Sequence, residues 1–487
     1  MRLTDILAPD LAAAAGVLDA GPVVTGVTAD SRRAGPGVVF FAVPGTKVDG
    51  LAFAAQAAAA GAVAVVGEGP RPADLPAATA YVRVPDARRA LALAAADVHP
   101  GQPATILAVT GTSGKTSVAD FARQILAACG RQAASLGTIG VVAPSGAVYG
   151  SLTTPDPVTL HETLSGLARD GVTHLAMEAS SHGLDQRRLD GVRLRAAGFT
   201  NLGRDHLDYH PTMEDYLAAK LRLFDTLLPE DGVAVVNADS AHAPAVVAAA
   251  AMRGIATLTV GQAGQDLRLA RFGREGFGQR LLVEGLDGIH DILLPLAGDF
   301  QASNALVAAG LAIAGGEDEA AVMAALPGLT GVRGRLERIG ERHGAMAVVD
   351  YAHKPDALAH VLDTLRPYCS GRLVCVFGCG GDRDRGKRPI MGAIAAAKAD
   401  VVIVTDDNPR SEDPATIRAA ILAAAPGATE IGDRAQAIAT AVRMLKAGDV
   451  LVVAGKGHET GQIVGDRVLP FSDHDTVAAA LTEDLAR

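Results

Sequence analysis

Tryptophan is absent from this chain of 487 residues and aromatic residues make up only 3% of it, so its cores must be built from aliphatic side chains. Cysteine is equally scarce. Cys129, Cys369, Cys375 and Cys379 show neither the dense, even spacing of a secreted disulfide framework nor a C-x-x-C zinc pattern. They read as buried free thiols in a reducing cytosol. Long runs of positive charge are missing too: 44 basic residues stand against 54 acidic ones, a formal net charge of −10, and no Lys/Arg block could track a phosphate backbone. Nucleic acid is therefore not an expected partner. No apolar run reaches the length of a membrane span, even in "LAFAAQAAAAGAVAVVG". The N-terminal "MRLTDILAPDLAAAAGVLDAG" lacks the charged-then-apolar grading of a signal peptide. A soluble, cytoplasmic protein without membrane contact is the expectation.

What is abundant is Ala, Val and Leu, within a hydrophobic fraction of 49%, as suits Ala-rich helices packed on Val/Ile-rich strands in an α/β architecture. The length exceeds what one core supports, and three domains are expected. Residues 1–100 alternate short apolar runs ("GVVFFAVPG", "AVAVVG", "AYVRVP") with Ala-rich helical stretches and close on the Pro/Gly-broken "DVHPGQPAT". Residues 101–331 form a central domain in which "THLAMEASSHG", "AAGFTNLGRDHLDYH" and "GVAVVNADS" read as strands ending in polar residues. In residues 332–487 the runs "AMAVVDYAH", "RLVCVFGCGGDRD", "ADVVIVTDDNPR" and "DVLVVAGKGHE" alternate with helical segments, which predicts a parallel, doubly wound Rossmann-like domain. Ligands of such sheets bind beyond the carboxyl ends of the strands, so the polar tails of these four runs should converge.

"TILAVTGTSGKTSVADFARQILAACG" reads as strand, glycine loop and helix, with Val118, Phe121, Ala122, Ile125, Leu126 and Cys129 on one helix face. Gly111 and Gly114 let backbone N–H groups approach phosphate oxygens, Lys115 reaches terminal phosphates, and the Thr116 hydroxyl suits Mg²⁺. A full phosphate-loop pattern would place glycine at Val109, so this is a shortened form, and ATP is the expected ligand. Glu178, His206 and Lys220 would suit a metal-bound triphosphate. Singly, each has a plainer reading: Glu178 as a helix-cap partner, His206 beside Asp205 as a turn, Lys220 on a solvated helix face.

Taken in order, the loop, "EASSHGLDQRR", "FTNLGRDHLDYH", "GRLERI", "DYAHKPDAL", "GCGGDRDRGKRPIMG", "TDDNPR" and "AGKGHE" closely resemble the Mur ligases of peptidoglycan synthesis. The resemblance covers nearly the whole chain, starting at "TADSRRAGPGVVFFAVPGTKVDG". It implies an N-terminal domain for a uridine nucleotide, a central ATPase-like domain and a C-terminal domain for the incoming amino acid. The implied reaction starts when a substrate carboxylate attacks the γ-phosphate of ATP; an amine then displaces phosphate from the acyl phosphate. By the same resemblance Thr116, Glu178 and His206 hold Mg²⁺, and Lys220 matches the family's carbamylated lysine. ATP would meet Gly111, Thr112, Ser113, Gly114, Lys115, Thr116 and Ser117, with Asn304 at the base, Arg335 at the phosphates and Asp350 at the ribose. Ser113 and Ser117 stand where the family usually carries Asn and Thr. The sugar nucleotide, UDP-MurNAc-L-Ala-D-Glu, would meet Ser31, Thr46, Lys47, Thr153, Thr154, Ser180, Gln186 and Arg188. A monomer is the expected state.

Family members add meso-diaminopimelate or L-lysine, which differ by one distal carboxylate. A fixed guanidinium pairs bidentately with a carboxylate, while Asp and Asn can orient an ammonium. "DNPR", Asp407, Asn408, Pro409 and Arg410, supplies both and resembles the family's diaminopimelate motif; Arg383, Gly455 and Glu459 match its other positions. Meso-diaminopimelate is the expected substrate. The readings left beside it are a related ligase, such as folylpolyglutamate synthetase, and an ATP-hydrolysing regulatory protein that joins nothing.

Overall fold

The computed structural model describes residues 1–6, 22–45, 48–148, 150, 152–206 and 208–482. The chain divides into two compact units: residues 1–270, 283–290 and 303–325 form the first, and residues 271–282, 291–302 and 326 onward the second. The first contains two sheets. In the N-terminal one, β1 (Gly26–Thr28), β2 (Val38–Ala42), β3 (Ala64–Gly67) and β4 (Ala80–Arg83) run parallel in that order. Alternate residues bury on opposite faces: Val39, Phe41 and Val66 pack with the helix Ala87–Val98, while Phe40, Ala42 and Val65 pack with Ala54–Ala59.

The second sheet of this unit contains β5 (Thr105–Thr110), β6 (Ala133–Gly137), β7 (Gly140–Ala143), β8 (Gly146–Val148), β9 (His174–Glu178), β10 (Ala196–Phe199), β11 (Val233–Asn237) and β12 (Ala256–Gly261), in the order β12-β11-β10-β5-β9-β6-β7-β8. The six from β12 to β6 are parallel. β5 is central and buried along nearly its whole length, as a doubly covered parallel strand must be. With β9 and β10 as its neighbours, the chain just past β5 meets the segments after Glu178 and after Phe199. β13 (Leu267–Glu275), β14 (Gly278–Glu284) and β15 (Ile289–Leu294) were not expected; their exposed, charge-rich faces leave a weak apolar signal.

In the second unit, β16 (Glu337–Arg342), β17 (Ala345–Asp350), β18 (Leu373–Phe377), β19 (Val401–Val404), β20 (Thr429–Glu430) and β21 (Val450–Ala454) form a sheet of order β16-β17-β21-β18-β19-β20. β17, β21, β18 and β19 are the four apolar runs read from the sequence, and they are parallel. β16 is an antiparallel edge, and β22 (Gly461–Val464) with β23 (Arg467–Pro470) makes a separate hairpin. Val348, Cys375, Val404 and Val452 lie in one core layer, Val349, Val376, Ile403 and Val453 in the other.

All four cysteines are free. Burial pushes the Cys375 thiol up to about 12 and that of Cys379 to about 11, which keeps both inert. Cys129 and Cys369 are half-buried rather than buried, because each sits where its element has ended. Among the described residues no helix is long and apolar enough to cross a membrane.

Candidate active site

Beyond β5 the chain turns through Gly111 and Gly114 into the helix Lys115–Ala128. Gly114 holds φ +88, and a Cβ there would stand 2.3 Å from Asn304 Oδ1; at Gly111 a Cβ would meet Thr200 Oγ1 at 1.9 Å. Both positions demand glycine. The segment after β10 braces the loop. Thr112 N donates to Asn201 O (2.9 Å), Ser113 N to Asn201 Oδ1 (3.0 Å), and Thr200 Oγ1 to Ser113 O (2.6 Å). Thr116 and Ser117 are buried in the first helical turn. Lys115 Nζ donates to Gly111 O (2.8 Å) and Thr112 O (3.0 Å), which holds its charge at the helix N-terminus, where an anion is favoured. Gly114→Ala should lower thermal stability and weaken ADP binding about tenfold or more, read by calorimetric titration.

Lys220 lies on the helix Met213–Arg222 and is 1% exposed. That overturns its plainer reading as a solvated lysine. Its Nζ donates to Gly111 O at 2.8 Å and stands 4.3 Å from the centre of the Tyr216 ring. Desolvation first, then the neighbouring Lys115 charge, brings its pKa down to about 6, so the amine is largely neutral and nucleophilic at neutral pH. A π-helical turn, Leu223–Leu227, follows directly, a local rewinding frequent at functional sites. His182, His206, His210, Tyr209 and Tyr216 stack into an aromatic wall beside it, with His182 and His206 centroids 5.0 Å apart. His206 takes a left-handed backbone, φ +53, uncommon for a residue with a Cβ.

Glu178 ends β9 buried, its carboxylate accepting from Thr138 N (2.7 Å) and Thr138 Oγ1 (3.3 Å). Thr138 Oγ1 also pairs with Thr153 Oγ1 at 3.0 Å. Thr154 Oγ1 donates to Glu178 O and accepts from Ser180 N. Arg188 donates to Thr154 O (2.6 Å) and to Gln186 Oε1 (2.7 Å), and Gln186 donates on to Tyr209. Five residues expected at the sugar nucleotide, Thr153, Thr154, Ser180, Gln186 and Arg188, thus form one hydrogen-bonded patch beside Glu178. Ser180 Oγ is committed to capping its own helix through Gly183 N. Ser31 opens the short turn Ser31–Arg33 in the N-terminal sheet's loops, capped by Asp30. Thr46 and Lys47 lie outside the described residues.

Asn304 is buried against Gly114, at the phosphate loop. Arg335 and Asp350 belong to the second unit. Asp350 accepts from Leu336 N (2.7 Å) and Ala352 N (2.8 Å), while Arg335 lies 5.0 Å over the Tyr351 ring.

Also in the second unit, the loops after β18, β19 and β21 converge as the parallel sheet requires. Arg410 holds φ +54; its N donates to Ile463 O (3.0 Å), and its Nη1 to Gly381 O (2.8 Å). No described residue engages its Nη2 or Nε, so one edge of the fork is available. Asp382, also left-handed at φ +54, accepts from Ser411 N and Oγ, and Arg383 beside it is exposed. Asn408 Nδ2 donates to Glu459 Oε2 at 2.9 Å. Pro409 O lies so near Gly381 that a Cβ there would reach it at 1.9 Å, and at Gly455, φ +117, a Cβ would stand 3.1 Å from Asp407 Oδ2. Asp406 pairs with Arg418, whereas Asp407 is buried, its carboxyl raised by that burial.

Sequence reasoning missed Thr138, Asn201, Tyr216 and Lys456, all neighbours of predicted residues. Each lies at or beyond a strand end or one helical turn from Lys220, a positional signal more than a chemical one. Among the described residues no three His, Cys, Asp or Glu gather as a metal cage. Magnesium held through one or two protein oxygens and substrate phosphates needs none. The buried Thr116 hydroxyl and Glu178 carboxylate offer oxygens that fit that hard cation.

Family profiles match three segments: "Mur ligase family, catalytic domain" residues 23–99, "Mur ligase middle domain" residues 109–312, and "Mur ligase, glutamate ligase domain" residues 334–457. The chain is similar to the UDP-N-acetylmuramoyl-L-alanyl-D-glutamate--2,6-diaminopimelate ligase of Bradyrhizobium diazoefficiens, 59% identical with 100% of both chains covered. The protein of that name from Mesorhizobium japonicum is 61% identical over 97% of each. A solved structure of a ligase so named superposes with a TM-score of 0.72 at 35% identity, covering 96% of this chain and 97% of the other.

Proposed function

Since the chain belongs to the Mur ligase family, whose members are ATP-dependent, ADP-forming ligases, we propose that it joins meso-diaminopimelate to the D-glutamate of UDP-N-acetylmuramoyl-L-alanyl-D-glutamate. The observation that carries the choice of amino acid is the site after β19: a guanidinium with one free edge, set in a strained turn beside Asn408 and Glu459. Relatives near 60% identity that carry the diaminopimelate ligase name support it. We read the domains as residues 1–100 for the sugar nucleotide, 101–331 for ATP and 332–487 for the amino acid, and the protein as a cytoplasmic monomer.

The chemistry follows from the residues. An anionic carboxylate must approach a polyanion, so the first step needs positioning and positive charge more than covalent help. The loop Gly111–Ser117 cradles the phosphates, and Lys115 turns its ammonium from Gly111 O and Thr112 O onto the β/γ oxygens. Asn304 meets the base, Arg335 the phosphates and Asp350 the ribose. Bound Mg²⁺, held by Thr116, Glu178, His206 and carbamylated Lys220, supplies charge neutralisation at the transferring phosphoryl group. Ser31, Thr46, Lys47 and the Thr153–Arg188 patch hold the sugar nucleotide and aim its glutamyl carboxylate at the γ-phosphorus. That oxygen–phosphorus bond forms as ADP leaves. Diaminopimelate, held by Asp407, Asn408, Glu459 and their neighbours, then presents a deprotonated amine that attacks the acyl carbon and loses a proton, and inorganic phosphate departs as the amide forms.

Phosphate release measured with the nucleotide dipeptide plus diaminopimelate, plus L-lysine, or with neither decides the matter. Release only with diaminopimelate is expected. Equal release in all three would leave an ATPase that ligates nothing.

A further inference from the structure

Lys456 is completely buried, directly after β21 in "AGKGHE". Its Nζ donates to Asn408 Oδ1 (3.0 Å) and Glu459 Oε2 (3.0 Å) and stands 3.7 Å from Asp407 Oδ1. Resting on the diaminopimelate reading, we propose that Lys456 is a positioning residue, whose enclosed ammonium sets the polarity of Asn408 and Glu459 for the incoming amino acid.

The geometry leaves little freedom. Asn408 Oδ1 also accepts from Ile463 N at 2.9 Å, so two donors hold the amide oxygen inward. The amide nitrogen must then point outward, where it donates to Glu459 Oε2. Glu459 Oε2 therefore takes two donors, while Oε1 has no partner among the described residues and the side chain keeps 32% of its surface exposed. A carboxylate half satisfied from within and half open to solvent suits a ligand ammonium. Nearby, Arg434 binds Asp473 through two bonds of 2.7 Å and donates to Ala454 O, and its charge also acts on Asp407. Among the described residues it is Lys456 whose ammonium comes into direct reach of both acids, 3.7 Å from Asp407 and 3.0 Å from Glu459. Burying a lysine costs desolvation that methionine would avoid, so mere space filling does not account for it.

Kinetics in which one substrate is varied and the other two are saturating test this. Lys456→Met should raise KM for diaminopimelate about tenfold or more while KM for ATP and for the nucleotide dipeptide stay within about twofold. In the pair Lys456→Met with Glu459→Gln the two KM increases should combine to much less than their product, because residues acting through one another are not additive. Parallel shifts in all three KM values, or a full product in the double variant, would overturn the proposal. Lys456→Gln, which keeps a donor, serves if the methionine variant does not fold; failure of both to fold would make Lys456 a folding residue and overturn it too. Wild-type protein assayed beside them with L-lysine separates the two readings. If wild type prefers lysine, the diaminopimelate reading falls, and Lys456 is judged on KM for lysine instead.

Discussion

Lys220→Met is expected to abolish ligation, lowering kcat about a thousandfold or more, while raising thermal stability in CO₂-free buffer. The two halves share one cause. Lys220 is enclosed beside Lys115, with Gly111 O as its acceptor and Tyr216 below it. An ammonium in that place is strained, which is why its pKa falls to about 6. In the unfolded chain the same amine binds its proton up to about pH 10.4. Between those values the unfolded state holds more protons than the folded one, so stability rises with pH across this window. Below pH 6 both states are protonated and the deficit is constant and largest. Methionine removes it, so the gap in melting temperature between variant and wild type should be widest at pH 6 and shrink toward pH 9. On this scale the relief is on the order of a few kcal/mol. The neutral amine that costs stability is also the form that reacts with CO₂, and the carbamate then answers the Lys115 charge instead of repelling it. A wild-type melting temperature that rises on adding bicarbonate, with no rise in Lys220→Met, is the matching observation; no response in either would separate Lys220 from carbamylation.

The sequence made the strands legible because parallel strands covered on both faces leave unbroken apolar runs, as at "TILAVT" and "VLVVA". It also placed the polar loops that converge beyond the sheets, since the carboxyl ends of such strands carry the polar residues. What it hid was direction and burial. Lys220 follows a helical pattern as readily on a wet face as on a dry one, and only packing decides. Lys456 hides for the opposite reason: between two glycines it looks like a flexible loop cation, yet the loop folds it inward. The edge strands β16 and β20 and the stretch from β13 to β15 escaped because their exposed residues carry no apolar period. The strain at His206, Asp382 and Arg410 is invisible in composition, because none of the three is glycine.

Arg410→Lys should raise KM for diaminopimelate about a hundredfold and reduce the preference over L-lysine to within about tenfold. Lysine keeps the charge but replaces a planar fork by a point donor, so it cannot bridge both oxygens of a distal carboxylate. Arg410→Gly separates the side chain from its backbone. A left-handed conformation costs a residue with a Cβ roughly 1–2 kcal/mol and glycine almost nothing. The bonds from Arg410 N to Ile463 O and from Gly465 N to Arg410 O survive either change, so Arg410→Gly should melt no lower than wild type. It should nonetheless lose diaminopimelate selectivity as fully as Arg410→Lys does, or more. Wild-type selectivity in the glycine variant would mean that the turn itself, and not the guanidinium, reads the distal carboxylate. A destabilised glycine variant would mean that the bond from Arg410 Nη1 to Gly381 O holds the loops together. The strain at Arg410 would then serve the fold and not the ligand.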